Sequence, residues 1–291
     1  MSASRKILIG LALAQSFWLV SCASNGSSLF PFRQSGKFGY INKSGKVAIN
    51  PQFDNVGKFS EGLAPVKMGK VWGYINTDGK LAINPQFDIA DPFSDGLALV
   101  GSGYKYGYID KSGKLIINPQ FEGAGHFDAG LAPIRAAGRW GYIGKNGQVS
   151  INPQFEEAGD FSDGLALVRV NGRYGYIDKS GTLVIQPQFD SAGEFSDGLA
   201  QVGLAGKYGY VDHSGKLVIN PQFDNAGEFS EGLALVAAGN RFGYIDKTGK
   251  FAINPQFDRA GDFENGLAPV WVGGRQGYID KTGKFVWNPI A

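Results

Sequence analysis

The sequence predicts an all-β protein of tandem three-stranded antiparallel β-meander repeats. Eight units of a 34-residue period are arranged as a curved array or a closed ring. Three observations carry that expectation. A Gly-Tyr-Ile core (once Gly-Tyr-Val) begins at Gly39, Gly73, Gly107, Gly141, Gly175, Gly209, Gly243 and Gly277, without one insertion. Pro-Gln-Phe recurs in fixed phase from Pro51 to Pro255, and Gly-Leu-Ala from Gly62 to Gly266. No stretch combines a sustained 3.6-residue apolar period with helix caps, so almost no helix is expected.

Residues 164–197 show how one unit reads. Gly164 to Val170 and Arg173 to Asp178 are β-prone runs joined by Asn171-Gly172. Asn-Gly is the strongest short hairpin signal, because both central residues of a type I′ turn need positive φ. Lys179-Ser180-Gly181 makes a second polar turn, with Gly available for the left-handed position and a bulge. A third run, Leu183 to Phe189, contains Pro187, which cannot donate to a ladder; this strand is an edge or ends in a bulge. Asp190 to Asp197 reads as a loop carrying one Phe.

The apolar columns say what packs. Tyr40, Tyr74, Tyr108, Tyr142, Tyr176, Tyr210, Tyr244 and Tyr278 occupy one column of the middle strand. Two residues earlier stand Phe38, Trp72, Tyr106, Trp140, Tyr174, Tyr208 and Phe242, then Gln276 out of pattern. The intervening Gly lets another backbone or ring lie close. Phe columns close the third strand (Phe53 to Phe257) and punctuate the loop (Phe59 to Phe263). Burying one Phe is worth roughly 1.5–3 kcal/mol. A three-stranded unit cannot bury four aromatics alone, so each unit leans on its neighbour.

An aromatic-Gly-Tyr-Ile-Asp-Lys-Ser/Thr-Gly-Lys run followed by Phe-Ser-Asp/Glu-Gly-Leu-Ala resembles the bacterial WG-repeat (KWG-repeat) family over roughly Gly36 to Asn288. Trp72-Gly73 and Trp140-Gly141 keep the namesake dipeptide. The resemblance implies an exported or lipid-anchored bacterial protein with no family-wide enzymatic activity, and Gln276 fits a terminal, capping unit. Propeller blades usually run to about 40–50 residues and four strands, so a 34-residue period favours a leaner unit.

The first residues set the compartment. Arg5 and Lys6 precede an apolar run from Ile7 to Val20, of secretory length and too short to span a bilayer comfortably. Leu19-Val20-Ser21-Cys22 resembles a bacterial lipobox, in which the Cys is lipidated and the chain is cut before it. The domain organisation expected is a lipoprotein signal peptide at 1–21, a lipidated flexible tether at 22–28 and a repeat domain at 29–291. Ala23 after the Cys favours the outer membrane under the enterobacterial sorting rule. Cys22 is the one cysteine of 291 residues, leaving none for a disulfide, thiol nucleophile or metal site.

The chain has 28 Lys+Arg and 26 Asp+Glu; removing Arg5 and Lys6 with the signal peptide leaves 26 of each. That balance gives no footing for nucleic acid, which takes a basic excess on one face. No Gly-rich loop opens a helix to cradle a phosphate. His126 and His213 fall in different repeat columns and read as solvated surface histidines, so neither metal nor His-dependent catalysis is expected. A carboxylate column (Asp54, Asp88, Glu122, Glu156, Asp190, Asp224, Asp258) stands against a basic one (Lys37, Lys105, Arg139, Arg173, Lys207, Arg241, Arg275, with Val71 the exception). A paired-acid glycosidase would need one unit to differ, whereas these columns repeat, so ion pairing is the expected role. The Asn-Pro-Gln columns offer amides, and the aromatics are core rather than a sugar platform.

The function expected is a lipid-anchored envelope module, without enzymatic activity or cofactor. It would bind a protein or a peptidoglycan or polysaccharide partner and touch the membrane through its anchor. The alternatives are a purely structural envelope protein and, behind it, a glycoside hydrolase.

Overall fold

The computed structural model describes residues 29–288, so the segments expected to be a signal peptide and a tether, with Cys22, lie outside the described residues. Every repeat forms its own antiparallel sheet, and there are eight. In the fifth the strands run Glu157–Ser162, Leu165–Val170, Arg173–Ile177 and Leu183–Phe189, each paired with its sequence neighbour. Inner strands of successive sheets lie side by side, as Glu157–Ser162, Ser191–Ser196 and Asn225–Ser230 do, and so surround a common axis. The architecture is an eight-bladed β-propeller.

The unit is therefore four-stranded, not three-stranded. The segment read as a loop, Asp190 to Asp197, contains the inner strand Ser191–Ser196 of the next blade. Four strands fit in 34 residues because almost no residue is spent on connections. Asp163 and Gly164 turn the chain with φ of 50° and 86°, and Asn171 and Gly172 do so with 51° and 76°. Both pairs occupy the left-handed region, as a two-residue hairpin turn matched to strand twist demands. One residue, Asp190, separates the outer strand of blade 5 from the inner strand of blade 6. Gly in the second turn has the expected positive φ (Gly181, 84°), and Asp178 Oδ1 accepts the N–H groups of Ser180 and Thr182 there.

The outer strand pairs on one side only, which accommodates Pro187 as anticipated. Its register jumps: Tyr174 faces Phe189 but Tyr176 faces Ile185. That bulge presses the outer backbone onto Gly175 between them, so the column of glycines is set by a close backbone approach. Asn and Gln of Asn-Pro-Gln stay exposed on this outer strand.

Blades are joined by one repeated device. Seven of the eight column tyrosines are 0–1% exposed. Each of these seven donates its hydroxyl to a backbone carbonyl of the next inner strand at 2.6–2.8 Å, from Tyr40 to Gly57 through Tyr244 to Gly261. Each packs edge-on or tilted against the Phe two residues beyond that carbonyl, with centroids 4.8–5.1 Å apart. Such a pair adds about 0.5–1.5 kcal/mol beyond its buried area. Burial raises the tyrosine pKa values well above the ordinary phenol range. Ser hydroxyls add a second stitch, from Ser60 to Phe93 O at 2.6 Å and from Ser162 to Phe195 O at 2.7 Å.

The array closes on itself. Lys281 reaches back to Glu231 at 3.0 Å, Lys145 to Asp95 at 2.6 Å and Lys111 to Glu61 at 3.0 Å, always one blade earlier. Carried around the ring, the same relation pairs Lys43 of blade 1 with Asn265 of blade 8, and these two line one cavity with Phe30, Ile41 and Asn42. Of the two arrangements the repeat allowed, the ring is the one adopted.

Candidate functional site

The identical columns are consumed by packing. The Asp54 column staples its own hairpins: Lys37 lies 2.5 Å from Asp54 and Lys207 2.5 Å from Asp224, while Arg173 and Arg241 pair with Asp190 and Asp258. The same carboxylates accept hairpin N–H groups, such as Gly69 to Asp54 at 2.7 Å. The Lys37 ammonium holds the Asp54 carboxyl below its usual range. Three of the half-buried aromatics before Gly are capped by cations: Arg33 caps Phe38 at 5.5 Å, Lys67 caps Trp72 at 6.0 Å and Arg169 caps Tyr174 at 5.4 Å. These are structural roles.

Asymmetry sits instead in the inner strands, at the residue before the inner Phe. That column reads Lys58, Pro92, His126, Asp160, Glu194, Glu228 and Asp262 around the axis. A Gly precedes it in six of the seven units, the exception being Asp91. Each acid leans back over the preceding blade. Asp160 accepts the backbone N–H of His126 at 3.1 Å. Glu194 and Glu228 accept in the same way from Asp160 and Glu194. Gly lets the carboxylate pass: a Cβ on Gly159 or Gly227 would sit 3.3 Å from Glu194 or Asp262 oxygen.

The electrostatics of this mouth are uneven. His126 is held between Asp160 at 3.3 Å and Asp91 at 3.5 Å. Hydrogen bonds to Asp160 and then Asp91 push its pKa up to about 10, so it is a cation at neutral pH. The histidine stands at the surface as expected, its side chain 45% exposed, and beyond that expectation it is paired with two acids, a pairing that screening weakens. His213 stacks on Phe195 at 4.4 Å and meets the Asp163 carbonyl at 3.0 Å, filling the position where six of its seven siblings carry Lys and one carries Thr77. Burial first, then the charges of Asp160 and Glu228, push Glu194 up to about 7. Burial likewise raises Glu228 and Asp262. A carboxyl with a raised folded-state pKa is less stabilising as it ionises, so Glu194 opposes folding progressively between about pH 4.5 and 7. Five carboxylates (Asp91, Asp160, Glu194, Glu228, Asp262) thus face two cations, His126 and Lys58.

Reading columns for sameness hid this site. Its signal was a column whose chemistry changes from unit to unit, inside the segment expected to be a loop. Among the described residues, no group of three or more His, Cys, Asp or Glu is placed to hold a metal ion. The predicted lipidation residue, Cys22, lies outside the described residues.

No curated protein sequence matches the chain. Among solved structures it is similar to the crystal structure of the eukaryotic initiation factor at 13% identity and a TM-score of 0.50, covering 90% of this chain and 96% of that one. It is also similar to dihydro-heme d1 dehydrogenase NirN in complex with DHE, at 15% identity and 0.54, covering 89% of this chain and 72% of that one. At such identities the likeness concerns the fold alone. The WG containing repeat matches at 38–72, 72–106, 106–139, 140–174, 174–208, 208–241 and 242–275, and the chain belongs to that family.

Proposed function

We propose that this protein is a lipid-anchored scaffold of the bacterial envelope that captures a basic, extended segment of a protein partner at the acidic axial mouth, with no catalytic chemistry of its own. The observation that carries the reading is the crowding of Asp160, Glu194, Glu228 and Asp262 at equivalent places of consecutive blades. Burial makes the ionised forms of Glu194, Glu228 and Asp262 costly, neighbouring acids add to that for Glu194 and Glu228, and a Lys or Arg inserted among them relieves the cost. A saccharide finds less to use, because the aromatics that could stack on it are largely core.

The test is a titration of the purified domain with a Lys/Arg-rich heptapeptide and an acidic heptapeptide of equal length. The basic probe is expected to bind, with affinity falling as salt rises. Glu194→Gln with Glu228→Gln weakens it by about tenfold or more. Binding also weakens as pH falls through about 7, because Glu194 takes up a proton there. Equal binding of both probes, or indifference to the double variant, would overturn the reading. Hydrolysis of chromogenic glycosides that is lost in Glu194→Gln would replace the scaffold with a hydrolase.

The anchor is the lipid on Cys22, with Ala23 directing the mature chain to the outer membrane in a host that uses that sorting rule. Two or three acyl chains hold a protein far more firmly than one, each buried CH₂ adding roughly 0.8 kcal/mol. Metabolic labelling with an alkyne fatty acid is expected to mark the wild type and leave Cys22→Ala unlabelled and soluble. Equal labelling of both would remove the anchor.

A further inference from the structure

We infer that the gap between blades 7 and 8 is a seat for one arginine side chain of the captured segment. The inference rests on the capture proposed above and names its anchoring residue. Asn225, Leu235, Ala237 and Phe242 of blade 7 and Asp262 of blade 8 line a cavity of about 150 Å³ there. A cavity of that size lined by apolar side chains holds a benzene-sized molecule. This lining combines two chemistries. Leu235, Ala237 and Phe242 supply an apolar wall, and Asp262 supplies a carboxylate that makes no hydrogen bond or ion pair among the described residues. Burial raises the Asp262 pKa, so a cation set beside it favours the ionised form.

Sister blades show what fits. Ala237 pairs across the strands with Phe242, as Arg33 does with Phe38, Lys67 with Trp72 and Arg169 with Tyr174. In those three blades the cation lies over the ring, 5.4–6.0 Å from its centroid. Arg169 also meets a carboxylate, Glu157, at 2.7 Å. Blade 7 keeps the ring and has alanine in place of the cation, while the Asn225 side chain folds back onto the Ala226 N–H at 2.8 Å. Losing the long side chain does not by itself open this space. Where glycine stands in the column, a Cβ on Gly101 would meet Ile89 at 3.1 Å, and one on Gly203 would meet the Tyr208 ring at 3.2 Å. An arginine from outside restores in blade 7 what Arg169 provides in blade 5, a planar guanidinium on an aromatic face with a carboxylate alongside.

The test titrates the purified protein with a Gly/Ser heptapeptide carrying one central arginine, and with its citrulline twin, which keeps the shape and lacks the charge. The arginine form is expected to shift the methyl resonances of Leu235 and Ala237 saturably, and to bind at least about tenfold more tightly than the citrulline form. Ala237→Arg installs the blade 5 residue and fills the seat from within. Asp262→Asn removes a charge that burial disfavours, so it should melt no lower than the wild type. Each is expected to weaken the arginine peptide by about tenfold. No saturable shift at ~10 mM, equal binding of the two peptides, or indifference to both variants overturns the seat. Free arginine binding more tightly than the peptide makes the ligand a small molecule, and overturns it too. If the seat alone is wrong, the Lys/Arg-rich heptapeptide still binds and ignores Ala237→Arg. If the capture alone is wrong, the single-arginine peptide still shifts Leu235 and Ala237. The Lys/Arg-rich heptapeptide then gains nothing over it and ignores Glu194→Gln with Glu228→Gln.

Discussion

Gly175→Ala is expected to be among the most destabilising single substitutions in the molecule, lowering stability by about 3 kcal/mol or more. A Cβ there would sit 2.5 Å from the Ile185 carbonyl oxygen, 2.7 Å from Pro187 N and 2.9 Å from Gln186 C. All three are backbone atoms of the outer strand, so no flexible side chain can swing aside. Relief requires the outer strand to lift, which breaks the bulged register that sets Tyr176 opposite Ile185 and Tyr174 opposite Phe189. Ile185 and Phe189 are both core residues, so the lift also opens the blade's apolar interior. Gly144→Ala supplies the control. Its added Cβ would come no nearer than 3.3 Å, to the Asn146 side chain, and its siblings in that column include Asp178 and Asn76. That change should stay within about ±0.5 kcal/mol. Urea titrations compare the two, and a midpoint shift no larger for Gly175→Ala than for Gly144→Ala would refute the close-approach account.

The sequence was informative wherever a residue's role is local or repeats. Asn171-Gly172 announced its hairpin because only a few residues accept two consecutive left-handed conformations. The Tyr and Phe columns announced inter-unit packing because no small sheet buries so many rings. What stayed hidden was the inner strand. Ser191-Ala192-Gly193-Glu194-Phe195-Ser196 has a Gly, a charge and only one large apolar residue, so it lacks the alternation that marks a half-buried strand. It is extended because the neighbouring blade supplies its partners: the Tyr176 hydroxyl at 2.6 Å from Gly193 O and the ring packed on Phe195. That is tertiary context overriding propensity. The same omission concealed the acidic mouth, since its residues lie in that segment, Asp160, Glu194 and Glu228 within the strand itself. It also made the unit look too short for a propeller blade.

Deleting one whole period, Gly141 to Tyr174, separates a ring from an open array, and for this ring the expected loss is large. Every repeated motif keeps its phase after the deletion, so each remaining blade can still form. An array of stacked units would simply become shorter. Eight blades divide the circle into about 45° each, and seven must rotate by about 6° more at every junction to close. At roughly 10 Å from the axis, about one blade thickness, 6° displaces atoms by about 1 Å. The tyrosine hydroxyl bonds of 2.6–2.8 Å do not survive such a displacement at full strength. If the ring instead breaks at one junction, a Tyr and a Phe leave the core at roughly 1.5–3 kcal/mol each. A lost hydrogen bond adds about 1 kcal/mol. A break at one of the stitched junctions costs about 5 kcal/mol, a large share of the 5–15 kcal/mol typical of a folded domain. Where the break falls is also set by the structure. Among the described residues the junction of blades 8 and 1 carries no such Tyr–Phe pair and leaves Tyr278 37% exposed, so it parts at less cost and should part first. The variant is therefore expected to melt at lower temperature, to associate through its opened junction, and to show its fastest amide exchange there. A monodisperse variant melting within a few degrees of the native chain would mean that the junctions adapt to seven blades. The fixed geometry assigned to the Tyr–carbonyl and Tyr–Phe contacts would then be wrong.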